Sequence, residues 1–390
     1  MLRFLRISRT FVTTILLFLS LLLLTVPVLA ELNFDLPAES AILIDAKTGQ
    51  ILWQKNAQTQ MPPASITKIM TMLLIMEAVD SGRISLDDIV TVSPYAESMG
   101  GSQVYLHTGE KITLENLLKS IAIASGNDAS VAVAEYLSGT EEAFVRAMNK
   151  RAQELGMRDT IFYNSSGLPL DGGGNLTTAY DIAIMSRELL KHPKVLEWTT
   201  TRIDSIRNGK FVLHNTNTLI GAYPGADGIK TGHTTEAGYC LSATAERDGT
   251  RLISVVMRTE TEKERLSQTI RLLDLGFNAF TPQLVASKGE EVATVRIAGA
   301  RRLENPAVAA ADLTVLVPKG VTDAVQKEFV PKENLRAPLE AGTAIGQLQV
   351  SVAGNPAGVV TVVTNEDVSQ ANFLVRFFRW VRNAISGLFR

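Results

Sequence analysis

The chain has 390 residues, enough for two or three domains. Its 38 Lys and Arg nearly balance 40 Asp and Glu, and the net charge of -2 argues against nucleic acid as the main partner. Cys240 is the sole cysteine, which excludes an internal disulfide and argues against redox chemistry.

The first segment reads as a targeting signal rather than as part of the fold. Arg3, Arg6 and Arg9 form a positive start, residues 11–24 an apolar run, and Val28-Leu29-Ala30 a small-residue cleavage site. This is the order of a Sec-type signal peptide over 1–30, so the mature protein is expected to be exported. The rival reading is an uncleaved membrane anchor, because the apolar run is long.

Residues 41–46 and 50–54 are two predicted strands joined by a turn at Lys47-Thr48-Gly49, where the glycine supplies a positive φ. Pro62 and Pro63 precede Ser65-Ile66-Thr67-Lys68. Residues 69–79 hold no Gly or Pro, so a buried helix is predicted from this motif onward. Positions i and i+3 share a helix face, which points Ser65 and Lys68 into one space. A serine hydroxyl is a weak nucleophile until a base takes its proton. A lysine whose pKa is lowered by burial or by a second cation is such a base. About one Ser-x-x-Lys is expected by chance in a chain of this size, so the pair needs partners.

A turn at Asp80-Ser81-Gly82, a short strand at 88–92 and a loop over 95–107 follow. Residues 113–124 begin on a capping threonine and are helical. They lead into Ser125-Gly126-Asn127-Asp128, where a helix over 129–137 begins. Further helices are predicted over 141–155, ended by Gly156, and over 178–190, ended before Pro193. Asp171-Gly172-Gly173-Gly174-Asn175 is a loop, and no strand before it or Lys-Ser/Thr after it makes it a phosphate cradle. From Ala226 the pattern turns to strand. Asp227-Gly228-Ile229-Lys230-Thr231-Gly232-His233 leads into a strand around Cys240, then a turn at Asp248-Gly249, a strand at 251–257 and a helix over 263–280. Strands from both ends of this unit enclose a helical middle. That predicts an α+β unit, one antiparallel sheet with a helical subdomain.

Composition shifts near Thr281-Pro282. Short β-rich runs at 291–297, 313–317, 347–352 and 359–363 read as a small all-β domain without a titratable cluster. The last stretch, 371–390, places Phe373, Leu374, Phe377, Phe378, Trp380, Val381, Ile385, Leu388 and Phe389 on one half of a helix. Arg376, Arg379, Arg382 and Arg390 fall on the other half, and no acidic residue is present. This is the pattern of an in-plane amphipathic helix, and a membrane surface is the expected partner of 371–390.

Three short motifs thus occur in order: Ser65-Ile66-Thr67-Lys68, Ser125-Gly126-Asn127 and Lys230-Thr231-Gly232. Lys47-Thr48-Gly49 repeats the letters of the third, but it precedes Ser65 and is read as a turn. With Ser-Gly-Asn-Asp-Ala at 125–129 and Thr-Ala-Tyr-Asp at 178–181, the chain resembles the low-molecular-mass penicillin-binding proteins, serine-type D-Ala-D-Ala carboxypeptidases. The resemblance covers nearly the whole mature chain. It implies a β-lactamase/transpeptidase-like catalytic domain over 31–281, an all-β domain over 282–365 and an amphipathic anchor over 366–390. The protein would then sit on the outer face of the cytoplasmic membrane.

The resemblance also implies a mechanism. Ser65 is the nucleophile, Lys68 its base, and Ser125 relays a proton to the leaving D-alanine. Asn127 holds the substrate amide and orients Lys68. Backbone N–H groups of Ser65 and His233 hold the oxyanion. Lys230 and Thr231 bind the terminal carboxylate, and Gly232 lets the substrate approach the strand. The substrate is a peptidoglycan pentapeptide, and β-lactams are the expected inhibitors. Some relatives place an Arg between two asparagines upstream of Lys-Thr-Gly. Here the segment is Asn215-Thr216-Asn217, which shifts carboxylate recognition onto Lys230, Thr231 and Arg265.

A β-lactamase shares the three motifs, but class A enzymes use a Glu between the second and third, and no Glu-x-x-Leu-Asn occurs there. A D,D-endopeptidase and a non-enzymatic envelope binding protein are the other readings. His107, His192 and His214 are scattered without metal-ligand spacing, so no metal or organic cofactor is implied.

Overall fold

The computed structural model describes residues 34–321, 323–375 and 377–378. The signal-peptide segment and most of the terminal amphipathic helix lie outside the described residues.

Strands β1 (Ser40–Asp45) and β2 (Ile51–Lys55) form the opening hairpin. A 3-10 turn (Ala64–Thr67) then runs directly into helix α1 (Lys68–Asp80). The helical middle follows as β3 (Ile89–Thr91), α2 (Pro94–Glu97), β4 (Lys111–Thr113), α3 (Leu114–Ala122), α4 (Asn127–Ser138), α5 (Glu141–Glu154), α6 (Ala179–Leu189) and α7 (Lys194–Thr199). After a hairpin of β5 (Ile203–Ile206) and β6 (Phe211–His214), the chain returns through β7 (Ala226–Thr234), β8 (Gly238–Arg247), β9 (Thr250–Thr259) and α8 (Glu262–Ala279).

The sequence dictates where these helices begin. Thr113, Thr140, Thr178 and Thr261 each accept a hydrogen bond from the backbone N–H three residues on, which satisfies a donor the helix itself cannot. Helix α1 is different: it has no such cap and is buried on nearly every side from Lys68 to Met76. A helix apolar all round belongs in a core. Each fully buried Ile, Leu or Met there contributes about 1.5–3 kcal/mol.

The main sheet runs β2-β1-β9-β8-β7, antiparallel throughout, so both ends of the unit build it as expected. All of β1 is buried, and its period of two divides it between two cores. Ile42 and Ile44 join Ile253 and Val255 under the helical subdomain, while Ala41 and Leu43 join Leu252, Val256 and Leu272 beneath α8. Cys240 is a buried core residue on β8, and burial pushes its thiol up to about 11.

A second unit follows without a break, because β10 (Phe280–Ala286) starts where α8 ends. The compositional shift at Thr281-Pro282 falls inside this strand. β11 (Glu291–Val295), β12 (Asn305–Ala309), β13 (Leu313–Pro318), β14 (Val325–Pro331), β15 (Ala344–Val352) and β16 (Asn355–Thr364) complete an all-β architecture. Its sheet runs β11-β12-β16-β15-β14, with β10 and β13 paired separately. Gln50 ties the two units together. Its side chain donates to the Leu316 carbonyl at 2.7 Å and accepts from the Leu316 N–H at 2.9 Å.

The sequence reading missed α2, which opens the stretch expected as a loop over 95–107, and also β4, β10, β12, β14, α7 and the β5–β6 hairpin. β12 carries Pro306, and β14 is an edge strand with exposed Lys327 and Glu328. Such residues weaken the alternating pattern while suiting strands that need few ladder bonds or must repel a further strand.

Candidate active site

Ser65 and Lys68 were expected on one α-helix, but the helix begins only at Lys68. Ser65 stands on the 3-10 turn, where residues i and i+3 eclipse each other. The departure improves the alignment: Lys68 Nζ lies 3.0 Å from Ser65 Oγ. Ala64, just before the serine, has a left-handed φ of 48°. Such strain persists only where the surroundings hold it.

Lys68 is fully buried. Its Nζ also donates to Asn127 Oδ1 and to the Ser166 carbonyl, each at 2.6 Å. Asn127 opens α4, and its amide donates to the Gly100 carbonyl at 2.7 Å, which fixes the oxygen toward Lys68. Asp128 beside it accepts from the Val104 and Leu106 N–H groups and so anchors the loop over 95–107. Ser125 is buried with a φ of 63°. Its hydroxyl makes no hydrogen bond among the described residues.

Lys230 and Thr231 lie on β7, the free edge of the main sheet. Thr231 Oγ1 is 2.7 Å from Thr216 Oγ1, and the Thr216 N–H donates to the Ile123 carbonyl at 3.1 Å. The Asn215-Thr216-Asn217 segment therefore threads the second motif to the third. Asn215 and Asn217 are structural, donating to the Thr199, Thr201 and Gly228 carbonyls.

Gly232 also has a packing reason within the fold. A Cβ there would stand 2.6 Å from the Pro63 carbonyl and 3.0 Å from Ile66 Cγ1. The missing side chain lets β7 close on the Ser65 turn. His233 is exposed and stacks on Tyr239 at 4.0 Å between centroids. Arg265 is buried on α8, with Nη2 on Glu262 Oε1 at 2.7 Å and Nε unpaired.

The cations are electrostatically linked. Burial holds the Lys68 ammonium well below its usual range, the nearby Lys230 charge lowers it further, and Asp128 opposes both. Burial and then Arg265 bring Lys230 down to about 7.

Sequence reasoning missed the segment Asn164-Ser165-Ser166-Gly167, whose cluster of turn formers marks a loop but no chemistry. Thr71, one turn beyond Lys68, donates to the Ser165 carbonyl at 2.6 Å, and Asn175 bridges Thr67 to Asn164. Glu141 accepts from the Ser165 N–H and hydroxyl at 2.8 and 2.6 Å. Gly167 has a φ of 82°, and a Cβ there would lie 1.9 Å from the Ala64 carbonyl.

Residues 28–261 match the family described as D-alanyl-D-alanine carboxypeptidase, and residues 280–370 match the penicillin-binding protein 5 C-terminal domain. The D-alanyl-D-alanine carboxypeptidase DacF of Bacillus subtilis is 44% identical over 341 residues, 86% of this chain and 87% of its own length. Penicillin binding protein 5 from Haemophilus influenzae has a similar structure, with a TM-score of 0.76 at 30% identity over 86% of this chain and 99% of that one. Penicillin-Binding Protein D2 from Listeria monocytogenes, solved with ampicillin bound, matches 63% of this chain and 100% of its own, with a TM-score of 0.58 at 35% identity. The motifs, the two-unit architecture and these matches agree: the chain belongs to the D-alanyl-D-alanine carboxypeptidase family of serine-type, penicillin-binding hydrolases.

Proposed function

We propose that the protein removes the terminal D-alanine from peptidoglycan pentapeptide stems through an acyl-enzyme on Ser65, with Lys68 as the base. The observation that carries this reading is the hydrogen-bond shell of Lys68. A neutral amine has two N–H groups and one lone pair. Asn127 Oδ1 and the Ser166 carbonyl accept the two N–H groups, which leaves the lone pair for the Ser65 hydroxyl at 3.0 Å.

As Lys68 takes the proton, Ser65 Oγ bonds to the carbonyl carbon between the two D-alanines. The carbonyl electron pair moves onto oxygen, toward the N–H groups of Ser65 and His233. One such donor is typically worth about 3–4 kcal/mol of barrier. As the carbonyl re-forms and the C–N bond breaks, the Ser125 hydroxyl, without another partner among the described residues, relays the proton held by Lys68 to the departing D-alanine amine, which leaves Lys68 neutral again. Lys230 and Thr231 hold the terminal carboxylate, and Arg265 adds positive field behind Lys230. Asn127 steadies the substrate amide. Gly232 serves by keeping β7 close to the Ser65 turn. Water then attacks the ester and frees the shortened stem. A β-lactam acylates Ser65 by the same path and stays. The Glu141 carboxylate is committed to Ser165, which disfavours a role for it in activating a hydrolytic water.

The mature chain, beginning near residue 31, is read as exported and held at the outer face of the cytoplasmic membrane by 366–390. Among the described residues no helix is long and apolar enough to cross a membrane.

The test is mass spectrometry of the protein with penicillin, beside a Ser65→Ala control, followed by D-alanine release from a pentapeptide. A stable adduct on Ser65 together with D-alanine release is expected. Rapid penicillin turnover would make the protein a β-lactamase. Neither adduct nor release would leave an envelope binding protein.

A further inference from the structure

Glu141 is the first residue of α5 and is only 6% exposed. A carboxylate buried this deeply is costly unless donors surround it. Three do. Oε1 accepts from the Ser165 N–H at 2.8 Å and from the Ser165 hydroxyl at 2.6 Å, and Oε2 accepts from the Tyr95 hydroxyl at 2.8 Å. The start of a helix adds a favourable field for a negative charge. Burial and the bond to Glu141 push the Tyr95 hydroxyl up to about 12, so it stays a donor at every working pH.

The two arms of this carboxylate end on the two segments that surround the base. Ser165 is followed by Ser166, whose carbonyl accepts from Lys68 Nζ. Tyr95 is in α2, at the start of the segment that carries Gly100. The Gly100 carbonyl in turn holds the Asn127 amide so that its oxygen meets Lys68 Nζ. The two acceptors that leave Lys68 its lone pair for Ser65 therefore depend on segments joined at one side chain.

We propose that Glu141 is a positioning residue for the reaction: by clasping Ser165 and Tyr95 together, it keeps the Ser166 carbonyl and Asn127 on Lys68 and so aims the lone pair at Ser65. This rests on the reading of Lys68 as the base. Without the clasp the amine can turn away from Ser65, and acylation slows. The ammonium form also loses an acceptor, and a hydrogen bond to the charged form is what favours it. Lys68 then gives up its proton at lower pH. The other charged groups that face Lys68, Lys230 on β7 and Asp128 on α4, are unchanged, as are Glu135 and Glu142, whose charges reach Tyr95.

The second-order rate of penicillin acylation, measured against pH, tests this. Glu141→Ala removes the clasp. Its plateau is expected about ten- to a hundredfold below that of the wild type. Its acid limb, where Lys68 gains its proton, should move to lower pH. Glu141→Gln removes the charge but keeps an oxygen for Ser165 and offers an amide N–H to the Tyr95 oxygen. It should acylate within about threefold of the wild type, with the acid limb in place. A role in stability alone lowers the melting temperature and the amplitude but does not move the limb. Wild-type rates in Glu141→Ala, a limb that stays where it was, or a Glu141→Gln as slow as Glu141→Ala overturns the proposal. Should Glu141→Ala not fold, Ser165→Ala decides, because it removes one arm and empties little space. A lower plateau with the limb moved to lower pH supports the clasp, and a wild-type profile overturns it. A wild type that takes up no penicillin would instead sink the reading of Ser65 and Lys68, and this one with it.

Discussion

Lys68 and Lys230 are two amines buried within reach of each other's charge, and the proposed chemistry needs them in opposite states. Lys68 must be neutral to accept a proton, and Lys230 must be charged to receive a carboxylate. Burial and the Lys230 cation push Lys68 well below its usual range, toward the neutral form a base requires. Burial and Arg265 bring Lys230 down to about 7 in the free protein. The second-order rate of penicillin acylation should therefore rise from acid as Lys68 deprotonates and fall above about pH 7 as Lys230 does. Lys230→Arg keeps the charge at all working pH. The alkaline limb should then vanish while the acid limb remains; an alkaline limb still near neutrality would show that another group causes it. The two Lys-Thr-Gly tripeptides show what was legible at this scale and why. Thr48 donates from its N–H and hydroxyl to Asp45 Oδ2, each at 2.7 Å, and Lys47 is exposed. The letters are those of Lys230-Thr231-Gly232, and only the neighbouring pattern, hairpin tip against returning strand, separates the turn from the site. The packing reason for Gly232 was not legible, because the Pro63 carbonyl it accommodates is far away in sequence.

At the scale of elements, the site is a 3-10 turn, a helix start and an edge strand, each announced by its side chains. The fourth part, the loop of Asn164, Ser165, Ser166 and Gly167, was not announced. It acts through the Ser166 carbonyl, and every residue has one. Its position depends on Gly167, whose left-handed φ and contact with Ala64 leave no room for a side chain. Gly167→Ala should lower the melting temperature, since overpacking alone costs about 1–3 kcal/mol. It should also slow penicillin acylation about a hundredfold, because the Ser166 carbonyl would leave Lys68. Gly289→Ala separates the two effects. Gly289 has the same φ of 82° as Gly167, but nothing lies within 4 Å of its added Cβ. That variant should lose only about 1 kcal/mol of stability and acylate at the normal rate. Equal acylation by the two variants would remove the loop from the mechanism. The longer helices were well read, because threonine caps and terminal breakers mark their ends locally, whereas the short α2 and α7 were not. The polar strands β12 and β14 were not, because their pairing is set by distant partners.

Over the whole molecule, the Gln50–Leu316 bonds join a catalytic unit to an all-β unit, and the chain leaves the second one at Ala371. The Ala371 N–H donates to the Gly299 carbonyl at 2.8 Å. Asn372 Oδ1 then accepts from the Val375 N–H at 3.0 Å, and residues 373–375 and 377–378 are helical. This start has the asparagine cap and the exposed apolar face that the amphipathic pattern requires. Phe373 is 79% exposed and Phe378 68%, side chains that a soluble surface gains nothing by presenting. The arginines of the pattern are worth about 1 kcal/mol each near an anionic surface, and salt screens that attraction. A chain running from residue 31 to the C-terminus should therefore sediment with phosphatidylglycerol vesicles, and less so as salt is raised. One ending at residue 370 should stay in the supernatant. Both should acylate penicillin at the same rate, because Ser65 lies in the other unit. Sedimentation of both forms, or of neither, would overturn the membrane-surface reading and leave 371–390 without a lipid role.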